Sequence, residues 1–316
     1  MQILENEPMC KHTSFKVGGP ARYFVKTENA DDLKKAFALA REKGLPYFIL
    51  GNGTNLLVSD KGFDGVVITL GGEFSDIEDL GDGAYKVGAA TPLGRFARTT
   101  LKQGFAGLHK LAGIPGTLGG AIFMNAGAYG QEIGNRCTAV TAIDTDGNLY
   151  EFPANECGFG YRRSVFQKKM EPVGSASSPT LAGSSVILSA KFQLERAASQ
   201  GKSVEDLEKE LAECMAKRKA SQPLNMPNAG STFKRLDTGA ADTPQQIAPG
   251  YYIEQAGLKG YRIGGAEVST LHANFIVNAG DATASDIKQL SEYVQSKVAE
   301  KFSIELKREI ILLGNF

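Results

Sequence analysis

The chain has 316 residues, of which 42% are hydrophobic, and its 35 Lys and Arg residues balance 35 Asp and Glu residues. A chain of this size can bury a substantial core and divide into roughly two or three domains. The absence of net charge argues against a surface that attracts nucleic acid or an anionic membrane, so an anionic ligand must be held by local charges.

Nothing in the sequence predicts export or a membrane span. Residues 1–15 mix acids, bases and a proline without the apolar stretch of a signal peptide, which predicts a cytoplasmic protein. The least polar long stretch, residues 111–129, is interrupted by Pro115 and by several glycines, so it lacks the roughly 18 apolar residues of a spanning helix. We expect a monomer that binds neither nucleic acid nor membranes.

The residues that most often bind zinc are scattered along the chain. The cysteines are Cys10, Cys137, Cys157 and Cys214, and the histidines are His12, His109 and His272. They form no CxxC or HExxH pattern, so we expect no metal site and free thiols. Each histidine is then expected to be structural or to contact substrate.

The first part of the chain predicts a compact α/β unit. Strand-like runs lie at residues 21–26, 46–50, 56–59 and 65–70. Asn29, followed by an acid three residues later, predicts the start of a helix, and Gly44 predicts its end.

The rest of the chain mixes both kinds of element. Helical patterns lie at 92–103, after Ser203, near 243–256 and after Thr283, and strand-like runs lie at 138–143, 149–152, 274–278 and 304–313. Turn residues at 144–148 predict a hairpin, and the low-complexity stretch 167–185 predicts a surface excursion. A change of composition near residue 200 predicts a domain boundary.

Two glycine-rich segments are candidates for binding phosphate. Residues 51–55 follow a strand but lead into an apolar run instead of a helix, so they are not a Rossmann fingerprint, and an ordinary turn is the alternative. In residues 113–130, seven of 18 positions are Gly or Pro, which predicts a poor helix or strand. Such a backbone suits a flat ligand with a pyrophosphate, although a buried structural loop is also possible.

Three polar positions could carry chemistry. Arg162 offers a fixed pair of donors for a carboxylate or phosphate, although most arginines are solvated surface charges. Ser231 follows a glycine and precedes Lys234, which suits an anionic ligand or a plain turn. Glu309 lies in the strand pattern 304–313 among apolar residues, where burial would raise its pKa, or it is an exposed edge acid.

Six segments together resemble the MurB family of flavin-dependent reductases. They are HTSFKVGGPA (12–21), GNGTNLLVSDKGFDGVVI (51–68), AGIPGTLGGAIFMNAGAYG (112–130), FGYRRSVF (159–166), NAGSTFK (228–234) and GYRIGGAEVSTLHANFIVN (260–278). The resemblance covers nearly the whole chain in the family's order, which is far more specific than any single motif.

The resemblance implies an α+β protein with an FAD-binding fold of the vanillyl-alcohol-oxidase type in two subdomains, followed by a C-terminal α/β substrate domain. The expected domains are residues 1–72, 73–200 and 201–316. The implied activity is the NADPH-dependent reduction of UDP-N-acetylglucosamine enolpyruvate to UDP-N-acetylmuramate through non-covalent FAD, a cytoplasmic step of peptidoglycan synthesis. The low-complexity stretch after Phe166 further suggests the class without a tyrosine-bearing lid.

The resemblance also assigns site residues. Ser231 would be the proton donor, while Arg162 and Glu309 would stabilise the enolate that develops on the substrate carboxylate. The implied FAD-binding residues are Gly51, Asn52, Gly53, Thr54, Asn55, Leu56, Ile114, Pro115, Gly116, Thr117, Gly119, Gly120, Ala126 and Gly127. The implied substrate contacts are Lys234, Arg235 and His272.

Two other functions compete with this interpretation. A sugar or alcohol oxidase of the same superfamily would attach its flavin covalently through a histidine or cysteine, and only His12 and Cys137 leave that option open. A non-catalytic nucleotide-sugar binding protein would have lost Ser231, Arg162 or Glu309, and all three are present.

Overall fold

The computed structural model describes residues 1–167, 185–236 and 248–316. Most of the predicted surface excursion and the first part of the helix-like segment at 243–256 lie outside these ranges. Two compact units divide the chain, the first formed by Met1–Glu5, Tyr23–Gly51 and Gly65–Ala216. The second is formed by Asn6–Arg22, Asn52–Asp64 and Lys217–Phe316. The predicted boundaries at 72 and 200 stay a prediction.

Helices and strands are interspersed along the described parts of the chain. The helices are α1 (Ala30–Lys43), α2 (Leu93–Lys102), α3 (Leu118–Met124), α4 (Val204–Ser221), α5 (Pro249–Gln255) and α6 (Ala284–Phe302). The strands up to residue 132 are β1 (Gln2–Pro8), β2 (Pro20–Thr27), β3 (Tyr47–Leu50), β4 (Leu56–Val58), β5 (Phe63–Leu70), β6 (Ile77–Gly81), β7 (Ala84–Gly88), β8 (Phe105–Ala106), β9 (Gly127–Ala128) and β10 (Gln131–Glu132). The later strands are β11 (Cys137–Ile143), β12 (Leu149–Pro153), β13 (Val186–Gln193), β14 (Glu195–Arg196), β15 (Arg262–Ile263), β16 (Ala266–Val268), β17 (Ile276–Asn278) and β18 (Ile311–Leu313).

Local signals place the ends of the helices where the sequence predicts them. The Asn29 side chain accepts the N–H of Asp32 at the start of α1, and Gly44 ends it at a φ of 64°. Thr283 and Asp286 form a capping box that starts α6. The Asn29 and Thr283 side chains each give a partner to a backbone N–H that the first helical turn leaves without one.

A five-stranded sheet, in the order β12-β11-β13-β7-β6, forms the centre of the first unit. Strands β11 and β12 make the predicted hairpin, and the Asp144 carboxylate accepts the N–H groups of Asp146 and Asn148 in its turn. Helices α2 and α3 contribute Phe96 and Ile122, both fully buried, to the core against this sheet.

A second sheet has the order β1-β2-β5-β3, in which β3 and β5 run parallel. Helix α1 buries Leu33 and Phe37 with Val66 and Ile68 of β5. These residues recur at helical spacing on α1 and at alternate positions on β5, which is why each element buries one face.

The second unit contains the antiparallel sheet β15-β16-β17 and the parallel pair β4 and β18. Helix α6 packs Ile287, Leu290 and Val294 into the core of this unit. Because Leu57 of β4 belongs to the same core, the short chain segment 52–64 is bound firmly into this unit.

Two local predictions were wrong. The predicted closing strand 304–313 is a strand only at Ile311–Leu313, because Ser303 turns the chain at a φ of 56° and the Leu306 carbonyl accepts the Gln295 amide. Glu309 therefore lies before the strand instead of within it. Residues 118–124 form helix α3, although the glycine content predicted no helix, because the Thr117 side chain caps its first turn.

Among the described residues, no helix has the length and apolar character needed to cross a membrane.

Candidate active site

The turn that follows β3 requires glycine at Gly53. Its φ is +61°, and a Cβ atom there would lie 2.0 Å from the carbonyl oxygen of His12. The Gly53 carbonyl accepts the N–H of Ser14 at 3.1 Å, which fixes the turn against the segment 12–14. A side chain at residue 53 would therefore displace backbone instead of a flexible neighbour.

Within the first unit, Gly51, the first residue of one glycine-rich segment, lies against Thr117 of the other. A Cβ atom on Gly51 would lie 2.7 Å from Thr117 Oγ1, and one on Gly119 would lie 3.0 Å from the Cβ of Ala89. The backbone at Gly51 thus lies directly against the start of α3, where only glycine permits the approach.

The backbone at the start of α3 is open on one side. A Cβ atom on Gly120 would meet only Thr117 Oγ1, at 3.6 Å, so the backbone here faces open space on that side. Ala126 and Gly127, which the sequence predicts near the flavin ring, are half-buried after the end of the same helix. A flat ligand with phosphates can lie against such a bare backbone.

Arg162 is fixed by the same region of the first unit. It lies in a tight turn closed by two hydrogen bonds between Gly160 and Arg163, and its φ of 51° is unusual for a side-chain-bearing residue. Its guanidinium donates to the Gly127 carbonyl at 3.2 Å. The predicted anion-binding arginine and the predicted ring-binding segment are therefore in contact.

Asn125 holds both of these segments. Only 1% of its surface is exposed, and its amide donates to the Gly160 carbonyl and to Glu132, each at 2.9 Å. Its Oδ1 accepts the N–H of Gly134 at 3.0 Å. One buried amide thus satisfies three partners and fixes the turn that carries Arg162.

Ser231 and Glu309 lie on neighbouring segments of the second unit. The Glu309 N–H donates to the carbonyl of Thr232, the residue after Ser231, at 2.8 Å. Both side chains are half-buried. The structure therefore brings together two of the three predicted catalytic residues within one unit, while Arg162 belongs to the other.

Within the second unit, Asn55 contacts the backbone on both sides of Ile310. The Asn55 side chain donates to the Glu309 carbonyl at 3.1 Å, and the Asn55 carbonyl accepts the N–H of Ile311 at 3.0 Å. The parallel pairing of β4 with β18 continues this contact from Leu56 onward.

The three predicted substrate contacts all belong to the second unit. Lys234 donates its N–H to the Lys307 carbonyl at 2.8 Å and is half-buried, whereas Arg235 is exposed. His272 Nδ1 accepts the N–H of Asn274 at 3.2 Å, so its neutral ring carries the proton on Nε2. Burial lowers the pKa of His272, which favours that neutral form.

Comparisons with known proteins identify the family. Residues 222–313 match the model of the UDP-N-acetylenolpyruvoylglucosamine reductase C-terminal domain, and residues 21–152 match an FAD binding domain. A UDP-N-acetylenolpyruvoylglucosamine reductase of Caldanaerobacter subterraneus is 42% identical over 98% of this chain and 93% of its own. One of Heliobacterium modesticaldum is 39% identical over 99% of this chain and 91% of its own. The chain belongs to the UDP-N-acetylenolpyruvoylglucosamine reductase family.

A solved structure of the same family confirms the fold. The match to the crystal structure of the Thermus caldophilus reductase (MurB) covers 99% of this chain and 98% of the Thermus chain, with 32% sequence identity and a TM-score of 0.76. The predicted α+β fold class, with an FAD-binding fold followed by a C-terminal domain, is confirmed. The absence of a tyrosine-bearing lid stays a prediction, because the stretch after Phe166 falls largely outside the described residues.

The remaining histidines contact acidic side chains, and the cysteines are free. His109 is buried and hydrogen bonded to Glu210, which hydrogen bonds from Lys202 and His109 hold at a pKa of about 2 despite the opposing effect of burial. The four cysteines are free, as predicted, and burial raises the pKa of Cys137 to about 12. His12 contacts Glu7 at 3.0 Å. Within the described ranges, no group of three or more His, Cys, Asp or Glu side chains could hold a metal ion.

Sequence reasoning missed Asn125 and Asn274, the two buried amides that hold the site segments. Both lie in motifs of the resemblance, in FMNAG and in HANF. The available signal was a polar amide among small or apolar residues, since a buried amide must find hydrogen-bond partners. Which backbone groups it meets depends on contacts distant in sequence.

Proposed function

We propose that this chain reduces UDP-N-acetylglucosamine enolpyruvate to UDP-N-acetylmuramate, with FAD as its bound cofactor and NADPH as the reductant. Membership of the reductase family over nearly the full chain carries this proposal. The network that joins the Ser231 and Glu309 segments in one unit supports it.

The cofactor-binding residues would be those of the two glycine-rich segments. Backbone N–H groups of residues 51–56 and 114–120 would hold the FAD phosphates, and Ala126 and Gly127 would lie beside the ring system. The open space at Gly120 and the close approach of Gly51 to Thr117 support this assignment. Bound FAD would supply the two-electron redox chemistry that links NADPH to the enolpyruvyl double bond.

Ser231 would donate the proton. Addition of hydride to the terminal CH2 of the enolpyruvyl group leaves negative charge on the adjacent carbon and on its carboxylate. That carbon is strongly basic, so a serine hydroxyl can protonate it. The position of Ser231 on a segment that is hydrogen bonded on both sides suits a donor that must hold a fixed place.

Arg162 and Glu309 would stabilise the developing charge. A guanidinium can pair with the substrate carboxylate through two hydrogen bonds, and a protonated carboxyl group can donate one more. The Gly127 carbonyl holds the Arg162 guanidinium, and the Thr232 carbonyl holds the backbone of Glu309.

Three residues of the second unit would bind the substrate. Lys234 and Arg235 supply positive charge for the diphosphate, and His272 supplies a neutral Nε2–H donor. We place the reaction in the cytoplasm, in peptidoglycan precursor synthesis, and expect the chain to act as a monomer without nucleic-acid or membrane partners.

The visible absorption spectrum tests the proposal. The purified protein is recorded without oxygen, then after addition of NADPH, and then after addition of UDP-N-acetylglucosamine enolpyruvate. We expect a yellow protein that NADPH bleaches and that the enolpyruvate recolours. A colourless protein that takes up no added FAD contradicts the proposal, and a flavin recoloured only by oxygen indicates an oxidase.

A further inference from the structure

The segment that carries Ser231 has no continuous strand to hold it. Residues 231–236 belong to no strand, and Phe233 makes only an isolated bridge with Arg308. A proton donor on such a segment needs another support, because a displacement of about 1 Å in an aligned site can cost a factor of about 10² in rate.

Asn274 supplies that support. Its backbone carbonyl accepts the Thr232 N–H at 2.7 Å. Its side-chain Oδ1 accepts the Phe233 N–H at 3.0 Å, and its Nδ2 donates to the Phe233 carbonyl at 2.9 Å. The side-chain amide thus pairs with Phe233 as the peptide group of a neighbouring strand would.

The pairing is buried. Asn274 is 5% exposed, and Thr232 and Phe233 are each 1% exposed. Removal of the side-chain amide therefore leaves buried peptide groups without their protein partner. The backbone N–H of Asn274 also donates to His272 Nδ1, so one residue connects the Ser231 segment to a proposed substrate contact.

We propose that Asn274 is a positioning residue that holds the Ser231 hydroxyl in place for proton transfer; the inference rests on the proposed function. An asparagine is required because the Phe233 peptide group needs one acceptor and one donor. An aspartate would place a carboxylate oxygen against the Phe233 carbonyl, and an alanine would leave both Phe233 groups without a partner.

The chain offers a matched control in Asn278. It is 7% exposed, lies four residues further along, and its amide makes three hydrogen bonds to backbone, with Phe15, Gly280 and Ala282. None of these side-chain bonds reaches residues 231–233. Asn278→Ala therefore removes a comparable set of buried bonds from the same unit without touching the Ser231 segment.

The test compares Asn274→Ala and Asn274→Asp with Asn278→Ala and the unmodified holoenzyme. Reduction by NADPH and reoxidation by the enolpyruvate are measured separately, the second in H2O and in D2O. We expect the Asn274 variants to slow reoxidation at least about tenfold with a larger solvent isotope effect, because misplacing the donor makes proton transfer slower. We expect Asn278→Ala to stay within about twofold in both half-reactions.

A second readout does not depend on turnover. Amide hydrogen exchange of the peptide that covers residues 229–235 is measured in the same proteins. We expect faster exchange of this peptide, chiefly at Phe233, in both Asn274 variants and no change in Asn278→Ala. Asn274→Asp keeps the shape of the side chain, so it provides the comparison if Asn274→Ala does not fold.

The outcomes separate the two proposals. Equal slowing of reoxidation by Asn274→Ala and Asn278→Ala, or an unchanged isotope effect in the Asn274 variants, overturns the positioning role. Unchanged exchange at residues 229–235 overturns the structural link itself. An unmodified protein whose reduced flavin is not reoxidised by the enolpyruvate rejects the proposed function, and the exchange data then decide only whether Asn274 holds the segment.

Discussion

Replacement of Gly53 by alanine tests whether the glycine-rich turn holds the cofactor. A Cβ atom there would lie 2.0 Å from the His12 carbonyl oxygen, whereas real Cβ atoms stay at 3.0 Å or beyond, so backbone must move by about 1 Å. An alanine at a φ of +61° adds about 1–2 kcal/mol of strain. Loss of the hydrogen bond from Ser14 adds about 0.5–1.5 kcal/mol. These terms alone sum to about 1.5–3.5 kcal/mol, and the displaced backbone adds to them.

Gly44→Ala isolates the strain from the collision. Gly44 has a φ of +64°, nearly that of Gly53, but nothing lies within 4 Å of its Cβ position. We therefore expect Gly44→Ala to cost only the backbone strain of about 1–2 kcal/mol and to leave FAD affinity unchanged. Because both alanines carry the same backbone strain, any difference between the two variants comes from the collision at residue 53.

The assay is fluorescence titration of the FAD-free proteins with FAD, together with thermal unfolding. If the turn holds FAD and about 3 kcal/mol of the cost of Gly53→Ala falls on it, the affinity of the protein for FAD falls about 100-fold. The reasoning is refuted if Gly53→Ala and Gly44→Ala bind FAD equally well.

Three further predictions follow from the site. Ser231→Ala leaves flavin reduction by NADPH nearly intact and slows reoxidation by the enolpyruvate sharply; equal loss in both half-reactions, measured by stopped-flow absorbance, contradicts its role as the proton donor. Glu309→Ala, which removes the hydrogen-bond donor, lowers the rate of reoxidation about 10²–10³-fold if Glu309 stabilises the developing charge, and a change only in substrate affinity contradicts that role. Burial lowers the pKa of His272 below its usual value, so the unfolded chain takes up the proton first as the pH falls. The contribution of His272 to the free energy of unfolding is therefore complete above about pH 6.5 and is lost as the pH falls below that value. Urea unfolding between pH 5 and 8 checks this, because His272→Gln should be less sensitive to pH than the unmodified protein.

Helix ends and the hairpin turn, which depend on residues close in sequence, were predicted correctly. Asn29, Gly44 and Thr283 marked helix ends that the structure confirms, because a cap depends on residues within one turn. The hairpin at Asp144 is confirmed for the same reason: its side chain pairs with backbone two and four residues ahead. The strand pattern around Glu309 failed, because alternation over ten residues does not reveal that Ser303 and Leu306 are held by the preceding helix and its end.

The sequence by itself determined the family, through motifs spread in order over nearly the whole chain, and with it the candidates Ser231, Arg162 and Glu309. Only the tertiary structure decided how these side chains are supported. The Asn274 amide meets Phe233 across 41 residues, and the Asn55 amide meets the Glu309 carbonyl across 254 residues. A hydrogen bond between two distant segments leaves no periodic trace in either, because each partner needs only one correctly placed donor or acceptor.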